Sequence, residues 1–311
     1  MGREWQGIKK KIAKVLVAAM IGLTALFFWQ WLKFDDGRLH LIFCDVGQGD
    51  AILMRKNNFE VLIDGGPDKK VLSCLSQNMP FWDKELEIVV LTHPQADHLN
   101  GLIPVLEQYQ VNYFIASPAG NSSAGFKKLK ELIETKKIAV KNLYSGGKIS
   151  LARFELLALW PEKSWLLAHL DSSESAPAFA KASVGEAVLG AQTSTNLNDF
   201  SLVFHLKYGE FDALLTGDAD ERMQDEIMAV SAVPEVEVFK IPHHGSKTGM
   251  KEEFLEKVSP ELAVISVGKN SWGHPAEEVI EKLSNLEIKI LRTDENGEIE
   301  IVSDGKSWQI R

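Results

Sequence analysis

Three apolar, β-rich runs in this chain stop abruptly at side chains that bind metal ions, and this constrains the fold more than any other feature. LEIVVL leads into THPQADHLNG (92–101), FDALL into TGDAD (216–220), and VEVFKI into PHHGS (242–246). Each run is short enough to be a buried strand. Strands that end this way collect their terminal side chains at one edge of a sheet, where open α/β architectures build their sites. His93, Asp97 and His98 fall within six positions. A strand end presents alternate side chains to one side, and the following turn can fold the next ones back. Asp218 and the pair His243/His244 add a carboxylate and imidazoles, the nitrogen and oxygen donors that Zn or Mn requires. Singly, Asp97 could cap a turn and the histidines could be surface residues; three such strand ends in one chain are improbable as coincidence.

The remaining pattern predicts strand, turn, strand from Leu39 (LHLIFCDV, GQGD, AILMRK, FEVLIDGG), because the runs are short and punctuated by Gly and Asn. Helices are expected near 68–78, at 104–109, over GFKKLKELIETKKI with Phe126, Leu129, Leu132 and Ile133 on one face, at 221–230 and at 275–284. Two strand-rich halves, each followed by helices, imply two sheets packed face to face with helices outside. Residues 171–197, rich in Ser, Ala and Thr without a sustained period, are expected to form a solvent-exposed, disordered insertion.

At 311 residues and 45% hydrophobic content the chain can bury a sizeable core, which excludes a disordered protein. Six of its 34 basic residues and one of its 43 acidic residues lie in 1–33, so the remainder carries a balance of −14. Such a body repels polyanions at long range, and nucleic-acid binding would have to rest on a local basic strip or on bound cations. Residues 15–32 (VLVAAMIGLTALFFWQWL) follow Lys9, Lys10, Lys11 and Lys14 and approach the ~20 residues of a membrane span, with Phe27, Phe28, Trp29 and Trp31 suited to the headgroup interface. The positive-inside rule then predicts a single-pass protein of the cell membrane, with residues 1–33 a cytoplasmic stub and anchor and residues 39–311 an extracytoplasmic domain. A cleaved signal peptide fits less well, since small residues at A-x-A spacing are missing after the aromatic cluster. Cys44 and Cys74 sit in apolar and amphipathic surroundings and read as buried small hydrophobes rather than a bridge.

DVGQGDA (45–51), LIDGG (62–66), THPQADHLNG, TGDAD, PHHGS, SVGKNSWGHP (266–275) and RTDENGEIEIVSDG (292–305) occur in the order seen in ComEC-like metallo-β-lactamase-fold proteins, which the chain resembles over about residues 39–311. The resemblance implies an α/β four-layer αββα sandwich preceded by one transmembrane helix, and a stand-alone relative of the DNA-uptake protein's domain. It implies His93, Asp97 and His98 as metal ligands, Asp218 as a bridging carboxylate, and one of His243 and His244 as a further ligand. Asp50 and Asp64 would support the ligands from behind, although Asp64 before two glycines reads equally well as a turn residue. Gln95 stands where many relatives carry a histidine, and Asn198 where ComEC-like sequences carry an asparagine. One metal position is therefore poor in ligands, which favours an oxygen-tolerant ion such as Mn over a tight Zn pair; one or two divalent ions are expected. His169, His205 and His40 read as structural, His205 because strand alternation sets it opposite Leu202, Phe204 and Leu206. His274 could line the pocket as a proton donor or phosphate contact, or cap a helix.

The function this implies is metal-dependent hydrolysis of a phosphodiester, with single-stranded DNA a candidate substrate, in DNA uptake or processing outside the membrane. Asp97 and His274 would act in catalysis beside an activated water. The alternatives are hydrolysis of small envelope esters (lactone, thioester or phosphocholine ester) and a binding module that has lost catalysis, the latter motivated by Gln95.

Overall fold

The computed structural model describes residues 2–170, 187, 189–191, 193 and 195–311. Fifteen strands among the described residues form two sheets. The first eight in chain order are β1 (Leu39–Phe43), β2 (Ile52–Lys56), β3 (Phe59–Ile63), β4 (Glu85–Leu91), β5 (Gln110–Ala116), β6 (Ala139–Asn142), β7 (Lys148–Leu151) and β8 (Phe154–Trp160). The rest are β9 (Val203–Tyr208), β10 (Phe211–Leu215), β11 (Val238–Lys240), β12 (Leu262–Ile265), β13 (Lys289–Arg292), β14 (Ile299–Ser303) and β15 (Trp308–Ile310). One sheet runs β15-β14-β1-β2-β3-β4-β5-β6 and the other β13-β12-β11-β10-β9-β8-β7.

Alternation along each strand builds three apolar layers. Leu39, Leu41 and Phe43 of β1 face inward and meet Phe204, Leu206, Ala213 and Leu215 of the opposite sheet. Ile42, Leu62 and Val89 face outward under Leu75, Leu102, Phe126, Leu129 and Ile133 of the first helical layer. Leu214, Phe239 and Ala263 do the same under Met223, Ile227, Phe254 and Leu283 of the second. The helix Ala124–Lys136 starts where Ser123 accepts from the Phe126 N–H at 3.2 Å and ends at Lys137 in the left-handed region, a side-chain cap and an αL stop. His205 lies on the face away from Phe204 and pairs with Asp212 at 2.9 Å, while His40 lies between Asp36 and Glu300 and His169 bonds the Trp165 carbonyl.

One of the sequence expectations needs correction. Cys44 and Cys74 form a disulfide with a Cα–Cα distance of 5.7 Å, tying the segment after β1 to the helix Val71–Asn78. The two residues stand on separate elements, and their approach is a property of the packed layer that neither local pattern carries. A bond closing a loop of separation 30 restricts the unfolded chain by about 3–4 kcal/mol. The double substitution Cys44→Ala/Cys74→Ala should therefore lower the thermal midpoint by several degrees, and two titratable thiols in the denatured, unreduced wild type would refute the bond. Most of the disordered insertion expected at 171–197 lies outside the described residues. Its described end is anchored: Ala191 pairs with Ala119, Thr193 with Leu170, and a short 3-10 turn, Leu197–Phe200, begins within it.

The N-terminal helix Gly2–Phe34 extends beyond the apolar run on both sides. Its segment Trp5–Phe34 is long and apolar enough to cross a membrane. Its end docks on the body: Phe34 is buried, Arg55 Nη1 donates to the Phe34 carbonyl at 2.7 Å, and the Phe27 ring lies 4.5 Å from that of Trp82.

Candidate metal centre

Strands β3, β4 and β5 run parallel in one sheet and β10, β11 and β12 in the other. Asp64, His93, Asp218, His244 and Ser266 thus all follow the C-terminal ends of parallel strands, while Asp50 comes from the loop between β1 and β2. Backbone bonds sew these loops together: Gly65 N–H donates to the His98 carbonyl, Gly66 N–H to that of Asp50, and Gly101 N–H to that of Gly66. Gly101 must be glycine, because a Cβ there would lie 1.8 Å from the Gly65 carbonyl oxygen.

At the centre lies Asp218. Its Oδ2 is 3.4 Å from His98 Nε2, 3.5 Å from His244 Nε2, 3.9 Å from His93 Nε2 and 4.0 Å from His243 Nε2. Asp97 Oδ2 is 3.4 Å from His244 Nε2. The atoms Asp218 Oδ1 and Oδ2, His93 Nε2, His98 Nε2 and His244 Nε2 are all buried without a hydrogen-bond partner. Leaving so many polar atoms unpaired is costly unless something binds them. Donors each about 2.1 Å from one ion sit roughly 3–3.4 Å apart, close to the spacing seen here. Asp97, His98, Asp218 and His244 accordingly make a donor set that fits a divalent cation.

Outer contacts aim these donors. Asp64 sits at φ 59 and accepts from Thr92 N–H at 2.8 Å, Thr92 Oγ1 at 2.6 Å and His98 Nδ1 at 2.8 Å. With Nδ1 engaged, His98 turns Nε2 to the centre, the arrangement metal-binding histidines use. His244 does the same through Nδ1 and the Ser266 carbonyl at 2.9 Å. Asp64 thus both occupies a turn and bonds His98.

The charges are strongly coupled. Burial opposes ionisation of Asp218, but His244, His98 and His93 outweigh it and hold the carboxyl well below its usual range. Burial would push His98 down; Asp218 and Asp64 instead lift it well above its ordinary value, and Asp218, Asp50 and Asp97 lift His244 to about 9. His93 follows its burial, helped by His98, and falls to about 3. Without a cation the carboxylates thus draw protons onto two imidazoles, and a divalent ion must displace them, so its affinity rises with pH.

Lys240 was not among the residues singled out from the sequence. Fully buried, it pairs with the equally buried Asp50, donates to the Gly217 carbonyl at 2.8 Å, and lies 3.8 Å from Asp218 Oδ1. Burial raises the Asp50 carboxyl, yet Lys240, with His244 and His98, holds it far below the usual range. Asp50 Oδ1 also lies 3.5 Å from His244 Nδ1.

Of the remaining expected residues, Gln95, His243 and His274 are part-exposed and Asn198 is buried. Gln95 Nε2 donates to Asn198 Oδ1, so the two amides bond each other. Asn198 Nδ2 lies 3.4 Å from His243 Nε2, and the His243 ring is 5.5 Å from that of His274. Of the histidine pair, His244 is buried beside Asp218, whereas the His243 side chain is 27% exposed. Burial lowers His274, and His243 and His244 lower it further.

Residues 44–269 match the metallo-beta-lactamase superfamily. The chain is 26% identical over 94% of its length to ComE operon protein 3 of Bacillus subtilis, covering 36% of that protein. It is 26% identical over 83% of its length to Recombination protein 2 of Haemophilus influenzae, covering 28% of that protein. The chain thus spans about a third of the curated relatives it matches. The crystal structure of the metallo-beta-lactamase fold protein YhfI from Bacillus subtilis superposes with a TM-score of 0.52 at 9% identity, covering 84% of this chain and 99% of that one, which shows the shared fold. Together with the two facing sheets and the donor set at their shared edge, the match over residues 44–269 establishes that the chain belongs to the metallo-beta-lactamase superfamily, whose members are generally metal-dependent hydrolases.

Proposed function

We propose that this protein is a metal-dependent phosphodiesterase that cleaves single-stranded DNA, with residues 1–33 tethering an extracytoplasmic domain, 39–311, to the membrane. The observation that carries the reading is the donor set Asp97, His98, Asp218 and His244, in which His98 Nε2, His244 Nε2 and both Asp218 oxygens are buried without a hydrogen-bond partner. A divalent ion held there would lower the pKa of a bound water and polarise a phosphoryl oxygen. Asp64 and the Ser266 carbonyl engage the two Nδ1 atoms and so orient the imidazoles toward the ion. Asp97 is held low, at about 2, because His244 and His98 outweigh its burial, so it stands as a carboxylate ready to serve as an anionic donor to the ion. His243 and His274 flank the same site, where they can donate to a phosphate oxygen. The DNA substrate is supported by the name of one relative, Recombination protein 2. The outward orientation is supported by the Cys44–Cys74 disulfide, which suits an oxidising compartment, and by the lysines before the helix.

Because Gln95 and Asn198 occupy each other, a single ion per chain is expected. Elemental analysis of the full chain purified in detergent with Mn or Zn should find close to one ion. A labelled single strand should be cut in its presence and spared by a chelator. A metal content near zero would overturn the reading. A second reading, hydrolysis of a small envelope ester, is favoured by the net charge of −9. Cleavage of lactone or phosphocholine esters with no cleavage of DNA would select it.

A further inference from the structure

Trp272 is 69% exposed, and among the described residues no large hydrophobic side chain is more exposed. Single apolar residues on a surface are common; this one is held in place by a built turn. Asn270 Nδ2 donates to the carbonyls of Gly268 at 2.9 Å and His274 at 2.7 Å, while its Oδ1 accepts from the Trp272 and His274 N–H groups at 3.0 Å each. The turn is in turn fixed to the GQGD loop. Gly268 N–H donates to Gln48 Oε1 at 3.2 Å, and a Cβ on Gly268 would lie 2.4 Å from the Gly47 carbonyl carbon.

From the indole a line of rings leads inward. The Trp272 and His274 rings are 6.3 Å apart, those of His274 and His243 are 5.5 Å apart, and His243 Nε2 is 4.0 Å from Asp218 Oδ2. Lys269, exposed in the same loop, adds a positive charge.

We propose that Trp272 is a stacking platform for an unpaired nucleobase, whose neighbouring phosphodiester then lies over the Asp218 cluster. This rests on the phosphodiesterase reading and adds the subsite that would recognise a single strand. Every base has a π-face, so an indole binds it without regard to sequence. In a duplex those faces are covered by neighbouring bases, so the platform selects unpaired strands. The turn already fixes the Trp272 backbone, so stacking has only the indole's two side-chain torsions to order.

The test is fluorescence anisotropy of the full, metal-loaded chain with a labelled thymidine oligonucleotide whose phosphorothioate linkages resist cleavage, beside the same strand made abasic. Trp272→Ala should weaken binding of the thymidine strand about tenfold, with an unchanged thermal midpoint, and Trp272→Phe should recover most of the loss. The abasic strand should bind wild type and Trp272→Ala alike. If wild type cuts DNA and Trp272→Ala holds the thymidine strand as tightly as wild type, the platform is refuted and the phosphodiesterase reading survives. If wild type neither cuts DNA nor binds either strand, the reading itself fails and the platform with it.

Discussion

Asp218→Asn should leave the protein without its stoichiometric ion and reduce hydrolysis by about 10³-fold, roughly 4 kcal/mol of transition-state stabilisation. The expectation follows from position: Asp218 Oδ2 has imidazole nitrogens at 3.4, 3.5, 3.9 and 4.0 Å, so its loss removes the anionic donor that all of them face. An amide keeps the volume but not the charge, and it is a far weaker ligand. A second readout needs no activity. Because Asp218 leads the carboxylates that lift His244 to about 9, the substitution should return that imidazole toward its ordinary value, which a histidine NMR titration of metal-free protein would follow. The sign for stability is fixed by linkage. In the metal-free wild type a raised His244 contributes stability fully present below about pH 6.5 and lost as pH rises through about 9. Metal-free wild type should therefore lose stability across that window, and Asp218→Asn should show a flatter profile. Retention of one ion and full turnover in the variant would refute the central place given to Asp218.

Much of this centre could be read from the sequence because parallel strands deliver their last residues to one edge. THPQADH, TGD and PHHGS announced themselves as strand ends, and period-two alternation placed His205 away from the inner layer, where it pairs with Asp212. The choice between His243 and His244 was not legible, since both occupy a positive-φ turn whose direction depends on packing against Ser266. Lys240 carried a signal that went unused. Val238 faces the inter-sheet layer and Phe239 the outer one, so the next residue must point inward again, and a lysine at an inward position demands a buried anion. The disulfide had no local signal, because Cys44 and Cys74 meet only once the helix Val71–Asn78 has packed on the first sheet. Gln95 and Asn198 could each be flagged as weak ligands, but that they bond each other depends on loops 103 residues apart.

Lys240→Met should cost about 3–5 kcal/mol of folding stability, the penalty for leaving a buried charge without its partner. Lys240 is fully buried, Asp50 is 1% exposed, and the pair joins the two sheets beneath the metal centre. Removing the ammonium leaves Asp50 with only the His244 and His98 imidazoles to oppose its charge, and brings it into repulsion with Asp218 and Asp64. Methionine fills most of the lysine volume, so a packing defect contributes little. The double variant Lys240→Met/Asp50→Asn separates the two effects, because it deletes both charges and should regain at least half of the loss. Urea midpoints of wild type, both single variants and the double variant give the coupling directly. A Lys240→Met protein within about 1 kcal/mol of wild type, or a double variant no better than the single, would show that this ion pair is not what holds the loops of the two sheets together.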